Sequence, residues 1–127
     1  MKILIINGPN LNLLGKRETN IYGSESLKDI IEWIDNHEKT ARHSIGWFQT
    51  NHEGKIIDKL HWCMQSQIDG VIINPGAYAH YSYAIRDAIT AIKIPTIEVH
   101  LSDIYSREDF RKTSVIKDAC EDQICGF

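Results

Sequence analysis

Ile3-Leu4-Ile5-Ile6 is an apolar run with no polar face, the pattern of a strand covered on both sides within a parallel sheet. It restricts the fold because a strand of this kind needs helices above and below it, and the rest of the chain supplies helical periods between further strand-like runs. Ser24 or Ser26 can cap a helix whose apolar face is Leu27, Ile30, Ile31 and Ile34. A second strand is expected over residues 44–50, where Ile45, Trp47 and Gln49 alternate with Gly46 and Phe48. The turn Asn51-His52-Glu53-Gly54 then opens a helix with Ile56, Ile57, Leu60 and Met64 on one side. Gly70-Val71-Ile72-Ile73-Asn74 is a third strand, stopped by Pro75-Gly76 and followed by a helix carrying Ala84, Ile85, Ala88, Ile89 and Ile92. Residues 95–100 make a fourth strand, residues 106–112 a short helix capped by Ser106, and residues 123–127 a possible fifth strand.

The order β-α-β-α-β-α-β-α-β suits one α/β domain, residues 1–127, built as a flavodoxin-like, doubly wound, five-stranded parallel sheet. The charge of -3 over 127 residues shows no basic excess, so nucleic-acid binding is not indicated. No apolar run is long enough to span a bilayer, and Met1-Lys2-Ile3 enters a strand rather than a signal peptide, so the chain reads as cytoplasmic. Cys63, Cys120 and Cys125 form no CxxC pair and leave an odd count, which argues for buried thiols rather than disulfides or zinc. The six histidines lack HExxH or HxH spacing, and neither GxGxxG nor a Walker lysine occurs, so neither metal nor nucleotide cofactor is expected.

In open parallel sheets, ligands bind beyond the carboxyl ends of the strands. Residues 7–22, 51–53, 74–80 and 98–102 should therefore converge on one rim. The first of these is unusually long for a strand-to-helix connection, which usually takes about two to six residues, and such loops are commonly lids or binding loops. It holds Arg17 and Tyr22, five apart. A phenol near pKa 10 is a poor base, but an adjacent cation lowers that value by roughly one to three units and yields a phenolate able to take a proton from carbon. The other reading is a surface tyrosine beside a solvated arginine. Glu98 and His100 lie two apart on a strand and share a face, roughly 6 to 7 Å along its axis. The carboxylate can orient the imidazole and favour its protonated form, making His100 a general acid. A strand end fraying into solvent is the alternative. Ser102 with neighbouring turn amides can bind a carboxylate, Asn74-Pro75-Gly76-Ala77 offers a second polar turn, and Arg107 and Arg111 would share a helix face.

Four blocks together resemble the motifs of the type II 3-dehydroquinate dehydratases. They are Asn7-Gly8-Pro9-Asn10-Leu11-Asn12-Leu13-Leu14-Gly15 with Arg17 and Tyr22-Gly23; Phe48-Gln49-Thr50-Asn51-His52-Glu53-Gly54; Ile73-Asn74-Pro75-Gly76-Ala77-Tyr78 with His80; and Ile97-Glu98-Val99-His100-Leu101-Ser102 with Arg107 and Arg111. The resemblance implies a cofactor-independent trans-dehydration of 3-dehydroquinate to 3-dehydroshikimate through an enolate. By the same resemblance Tyr22 is the base that removes the C2 proton and Arg17 holds it as phenolate. His100 protonates the departing hydroxyl, Glu98 orients His100, and Asn12 positions a water at the enolate oxygen. Asn74, Leu101 and Ser102 hold the substrate carboxylate, and His80 and Arg111 its hydroxyls. Asp87 matches a position that reaches a neighbouring subunit's site, which implies a homo-oligomer, a dodecamer built from trimers.

The chain departs from the family pattern at Ala79, Tyr81, Asp103 and Tyr105, where small hydroxyl residues, Asn and His are common; Tyr81 is expected to crowd the pocket or alter its polarity, and Asp103 to oppose an anion unless it is paired or turned away. It also stops at Gly126-Phe127, where family members usually continue through a glycine-rich turn into a last helix. A rival to the lyase is a catalytically impaired flavodoxin-like module that only binds a cyclic polyhydroxy acid.

Overall fold

A computed structural model describes residues 1–126. Five strands, β1 (Lys2–Asn7), β2 (Ser44–Gln49), β3 (Gly70–Asn74), β4 (Thr96–His100) and β5 (Asp122–Cys125), form one parallel sheet in the order β2-β1-β3-β4-β5. This is the flavodoxin-like order expected from the alternation of elements. Its switch point lies between β1 and β3, whose carboxyl-terminal residues Asn7 and Asn74 are paired in register. Phe127, the last residue of the expected fifth strand, lies outside the described residues.

Four α-helices join the strands: α1 (Thr19–Tyr22), α2 (Leu27–Asp35), α3 (Glu53–Gln65) and α4 (Tyr83–Ile92). Of the two serines that could start α2, Ser26 does so: its hydroxyl accepts from Asp29 N while Asp29 Oδ2 accepts from Ser26 N, satisfying two backbone donors at the helix start. Ser82 caps α4 by accepting from Ile85 N, and it donates to Glu53 Oε2 at 2.6 Å, which ties the starts of α3 and α4 together.

The two sheet faces are covered unequally. On one, Leu4, Ile6, Val71 and Ile73 meet Ile56, Leu60 and Cys63 of α3 and Ile85, Ala88, Ile89 and Ile92 of α4. Ile6, Ile56, Leu60, Ile73 and Ile85 are fully buried, each such side chain contributing about 1.5–3 kcal/mol. Cys63, not Met64, fills the inner position at the end of α3; Met64 is exposed. Ala84 likewise turns outward on α4. On the other face, α2 leaves an apolar groove of about 500 Å³ lined by Ile5, Ile72 and Val99 of the sheet and by Leu27, Ile30 and Ile34 of α2. No helix follows β5 among the described residues.

The expected helix over 106–112 does not form. Two 3-10 turns, Ile104–Ser106 and Asp109–Lys112, take its place, separated by extended backbone at Arg107. Asp103, rather than Ser106, caps the first turn by accepting from Tyr105 N, and the Ser106 hydroxyl donates to Asp103 O. The aspartate is thereby occupied at the cap and does not line the cleft described below. Tyr81 is also turned outward, edge-on to Tyr78 and 60 % exposed, so it does not crowd that cleft.

Candidate active site

A cleft opens at the carboxyl ends of β1, β3 and β4. It is lined by the loop after β1, the turn after β3 and the segment after β4. Residues 51–53, expected on the same rim, form no part of its lining. Asn51 instead supports the first loop from behind, its Oδ1 accepting from Asn10 N and from Gln49 Nε2.

Close backbone packing shapes the floor. Gly8 N donates to Asn74 O at 2.7 Å, and a Cβ at Gly8 would lie 2.8 Å from the Pro75 carbonyl, so only glycine allows the loop after β1 to lie this near the turn after β3. Asn74 is buried, and its Oδ1 accepts from Gly76 N at 3.2 Å, which fixes the side chain at the head of that turn.

Tyr22 stands on one wall. Its phenolic oxygen accepts from Arg17 Nη2 at 3.1 Å, and the Arg17 guanidinium lies 4.0 Å from the centre of its ring. The same oxygen accepts from Arg107 Nη1 at 2.6 Å. That nitrogen also donates to Ser102 Oγ at 3.1 Å, linking the first loop to the turn after β4. The Arg17–Tyr22 approach follows from their spacing, whereas nothing in the sequence joins Arg107 to a tyrosine 85 residues away.

His100 faces the same cleft. Its Nε2 meets Glu98 Oε1 at 2.6 Å. A carboxylate accepts here, so Nε2 carries hydrogen and Nδ1 is left for a ligand. Glu98 is fully buried and lies behind His100 rather than in the lining. It also accepts from Ser114 Oγ at 2.8 and 3.0 Å and from Gln123 Nε2 at 3.1 Å. These donors offset the cost of burying a charge, and the frayed strand end is excluded. Ser114 and Gln123 carried no signal in the sequence, because both approach Glu98 only through the fold.

His80 stacks near His100, ring centres 6.3 Å apart, with Phe110 edge-on to it at 5.7 Å. Its Nδ1 lies 2.8 Å from Thr113 O. A carbonyl only accepts, so Nδ1 carries the hydrogen and Nε2 is an acceptor in the neutral ring. Burial holds the His80 pKa below the usual histidine value, reinforced by the positive charge of Arg111 and the neighbouring His100. Arg111 lines the cleft with Nε donating to Glu108 Oε2 at 2.6 Å.

Among the described residues the lining carries Arg17, Arg107 and Arg111 and no carboxylate, in a chain whose net charge is -3. Their carboxylate partners, Glu18 beside Arg17 and Glu108 beside Arg107 and Arg111, lie outside the lining, so the guanidinium groups are what an anion in the cleft would meet. Leu101 and Ser102 lie at its edge, where Gly126 N donates to the carbonyls of His100 and Ser102. Besides Glu98, two expected residues are not brought into the lining. Asn12 is exposed on the 3-10 turn Leu11–Leu13, 3.5 Å from Gln49 Nε2, because the turn directs it toward the end of β2. Asp87 is exposed on α4, which packs behind the sheet. Among the described residues no group of three or more His, Cys, Asp or Glu side chains gathers as a metal site, and no helix is long and apolar enough to cross a membrane.

The dehydroquinase class II family model matches residues 1–127. The 3-dehydroquinate dehydratase of Caldicellulosiruptor saccharolyticus is 60 % identical over 126 residues, 99 % of this chain and 87 % of that protein. That of Thermotoga maritima is 51 % identical over 127 residues, all of this chain and 86 % of that one. The crystal structure of the type II dehydroquinase from Butyrivibrio crossotus superposes with a TM-score of 0.96 at 50 % identity, covering 99 % of this chain and 88 % of the other. With one cleft holding the tyrosine, the histidine and three arginines, and with relatives this similar across its whole length, the chain belongs to the type II dehydroquinase family.

Proposed function

We propose that this cleft dehydrates 3-dehydroquinate to 3-dehydroshikimate, the shikimate-pathway step leading toward aromatic amino acids, with Tyr22 as base and His100 as acid. The observation that carries the reading is a phenolic oxygen held by two guanidinium donors in the same cleft as an imidazole locked to a buried carboxylate. Two cations on one oxygen supply the positive charge that a phenolate needs. Tyr22 takes the proton from C2, and the electron pair moves to the adjacent ketone to form an enolate. Asn12 positions a water at that oxygen after turning from Gln49. When the enolate collapses, the C1–oxygen bond breaks and His100 gives the departing hydroxyl a proton, so that water leaves. The Tyr22 proton then returns to His100 and closes the cycle.

The remaining cleft residues hold the acid in place. The Ser102 hydroxyl accepts from Arg107 and keeps its own hydrogen for the substrate carboxylate. Asn74 and the Leu101 amide complete that cradle. His80 Nε2 accepts from a ring hydroxyl, and Arg111 donates to another. No metal or organic cofactor is required, because the ketone already acidifies the C2 hydrogen and hydrogen bonds carry the enolate charge. The reading extends to a cytoplasmic enzyme assembled as a dodecamer built from trimers, with Asp87 on the exposed side of α4 reaching the next subunit's cleft.

The test is to mix purified protein with 3-dehydroquinate in the presence of a chelator and follow ultraviolet absorbance. A conjugated enone should appear and absorbance should rise. Folded protein giving no rise would favour a module that binds the acid without turning it over. A native mass measurement on the same sample checks the assembly.

A further inference from the structure

Among the described residues Glu98 is the one fully buried carboxylate behind the site, and its partners other than His100 lie outside the cleft lining. Oε1 receives His100 Nε2 and Ser114 Oγ; Oε2 receives the second arm of Ser114 and Gln123 Nε2. Gln123 is the register partner of Glu98 on β5. Its amide can donate to Glu98 only with nitrogen turned inward, because a flip would set Oε1 against the carboxylate. The Tyr105 hydroxyl removes that freedom by donating to Gln123 Oε1 from the 3-10 turn after β4. Tyr105 is 41 % exposed, so core packing alone does not account for it.

We propose that Tyr105, Gln123 and Ser114 are positioning residues that hold Glu98, and through it His100, in the orientation that delivers a proton into the cleft. The inference rests on the reading of His100 as the acid. A tyrosine suits the outer position because its hydroxyl remains a donor throughout the neutral pH range, whereas a histidine there would change its hydrogen-bonding role on titration. Losing a donor to Glu98 leaves its negative charge less stabilised. A less stabilised carboxylate beside Nε2 makes the His100 imidazolium hold its Nδ1 proton more tightly, so that proton passes less readily to the departing hydroxyl.

The other groups around the pair keep their charge where this release is read. Arg107 and Arg111 on the cleft side stay cationic. Burial, with the charge of Glu98, pushes the Cys120 thiol up to about 12 and raises Cys125, so both stay protonated. His80 is pushed down and is neutral. Asp103, at the outer edge, is held at the cap of the Tyr105 turn, and Lys117 Nζ lies 5.8 Å from the Tyr105 ring.

Tyr105→Phe removes only the hydroxyl from a partly exposed ring. It should lower kcat about fivefold, the worth of one hydrogen bond, with KM for 3-dehydroquinate unchanged and the alkaline limb of the kcat profile displaced upward by about half a unit. Gln123→Glu should be poor at neutral pH and recover toward acid, where a proton shared with Glu98 restores the donor. Ser114→Ala should fall as Tyr105→Phe does, and Ser114→Thr should restore the rate. Wild-type kcat with an unmoved limb in Tyr105→Phe and Gln123→Glu, or a loss confined to melting temperature, overturns the proposal. His100→Gln separates the two readings. If it retains wild-type turnover, the assignment of the acid fails; if it is inactive while Tyr105→Phe is normal, only the positioning role fails.

Discussion

Glu98 and His100 sit two residues apart on β4, buried, and joined to Ser114 and Gln123 by bonds that leave the imidazole little choice of orientation. Arg17 and Tyr22 sit on the long connection between β1 and α2, and their third partner, Arg107, comes from the irregular segment after β4. The proposed acid is therefore built into the sheet, while the proposed base is assembled where two connecting segments meet. The difference follows from the chemistry each side must do. An acid needs a fixed direction for its proton, which a strand and a buried carboxylate provide. A phenolate needs positive charge, which two guanidinium groups bring from separate segments without a buried network.

Changes on the base side should cost activity alone, and changes on the acid side should cost activity and stability together. The largest effect is expected for Tyr22→Phe, which should lower kcat by about 10²–10⁴-fold while calorimetric binding of 3-dehydroquinate and the melting temperature stay near wild type. Near-normal rates would remove Tyr22 as the base. Glu98→Gln should reduce kcat by about 10-fold to 100-fold and also lower stability by about 1–3 kcal/mol, because an amide nitrogen then faces donors that a carboxylate had accepted. Denaturant unfolding of the two variants side by side tests the contrast. It breaks if Tyr22→Phe is the less stable of the two.

Within the base side, Arg107→Met should lower kcat more than Arg17→Met, by about tenfold against a few-fold. Arg107 makes the shorter bond to the phenolic oxygen, 2.6 against 3.1 Å, and also anchors Ser102. Equal losses would mean that the two cations act only as a common field. This ranking was invisible in the sequence, where Arg17 stands close to Tyr22 and Arg107 far from it.

What the sequence made legible is what repeats or lies close along the chain. Apolar runs and helical periods placed all five strands near their observed ends, and the two-residue spacing of Glu98 and His100 placed both on one strand face. The helix expected over 106–112 failed because Asp103 starts a turn earlier than Ser106 would, and Arg107 then takes an extended backbone that ends it. The outer supports of Glu98 were hidden for a different reason: Ser114, Gln123 and Tyr105 belong to three separate segments and meet only when β5 pairs with β4. Asn12 and Asp87 carried a strong resemblance, yet neither enters this chain's cleft lining, since their placement depends on a turn and on the outer side of α4.

The smallest effect concerns His80, which extends the acid side over the cleft. Its pKa is held below the ordinary value of 6.5, mainly by burial and despite its bond to Thr113. Folding thus favours the neutral ring, and the sign follows. The stabilisation is complete above the unfolded value near 6.5 and is lost as pH falls through the lower, folded value. His80→Asn keeps a polar side chain but cannot titrate, so its melting temperature should fall less than that of wild type between about pH 7 and pH 5. The difference should be small because His80 is only half-buried and solvent screens much of its charge. Parallel acid-side melting curves for the two proteins would show that burial does not hold this ring neutral, and that its Nε2 lone pair is not reserved for a substrate hydroxyl.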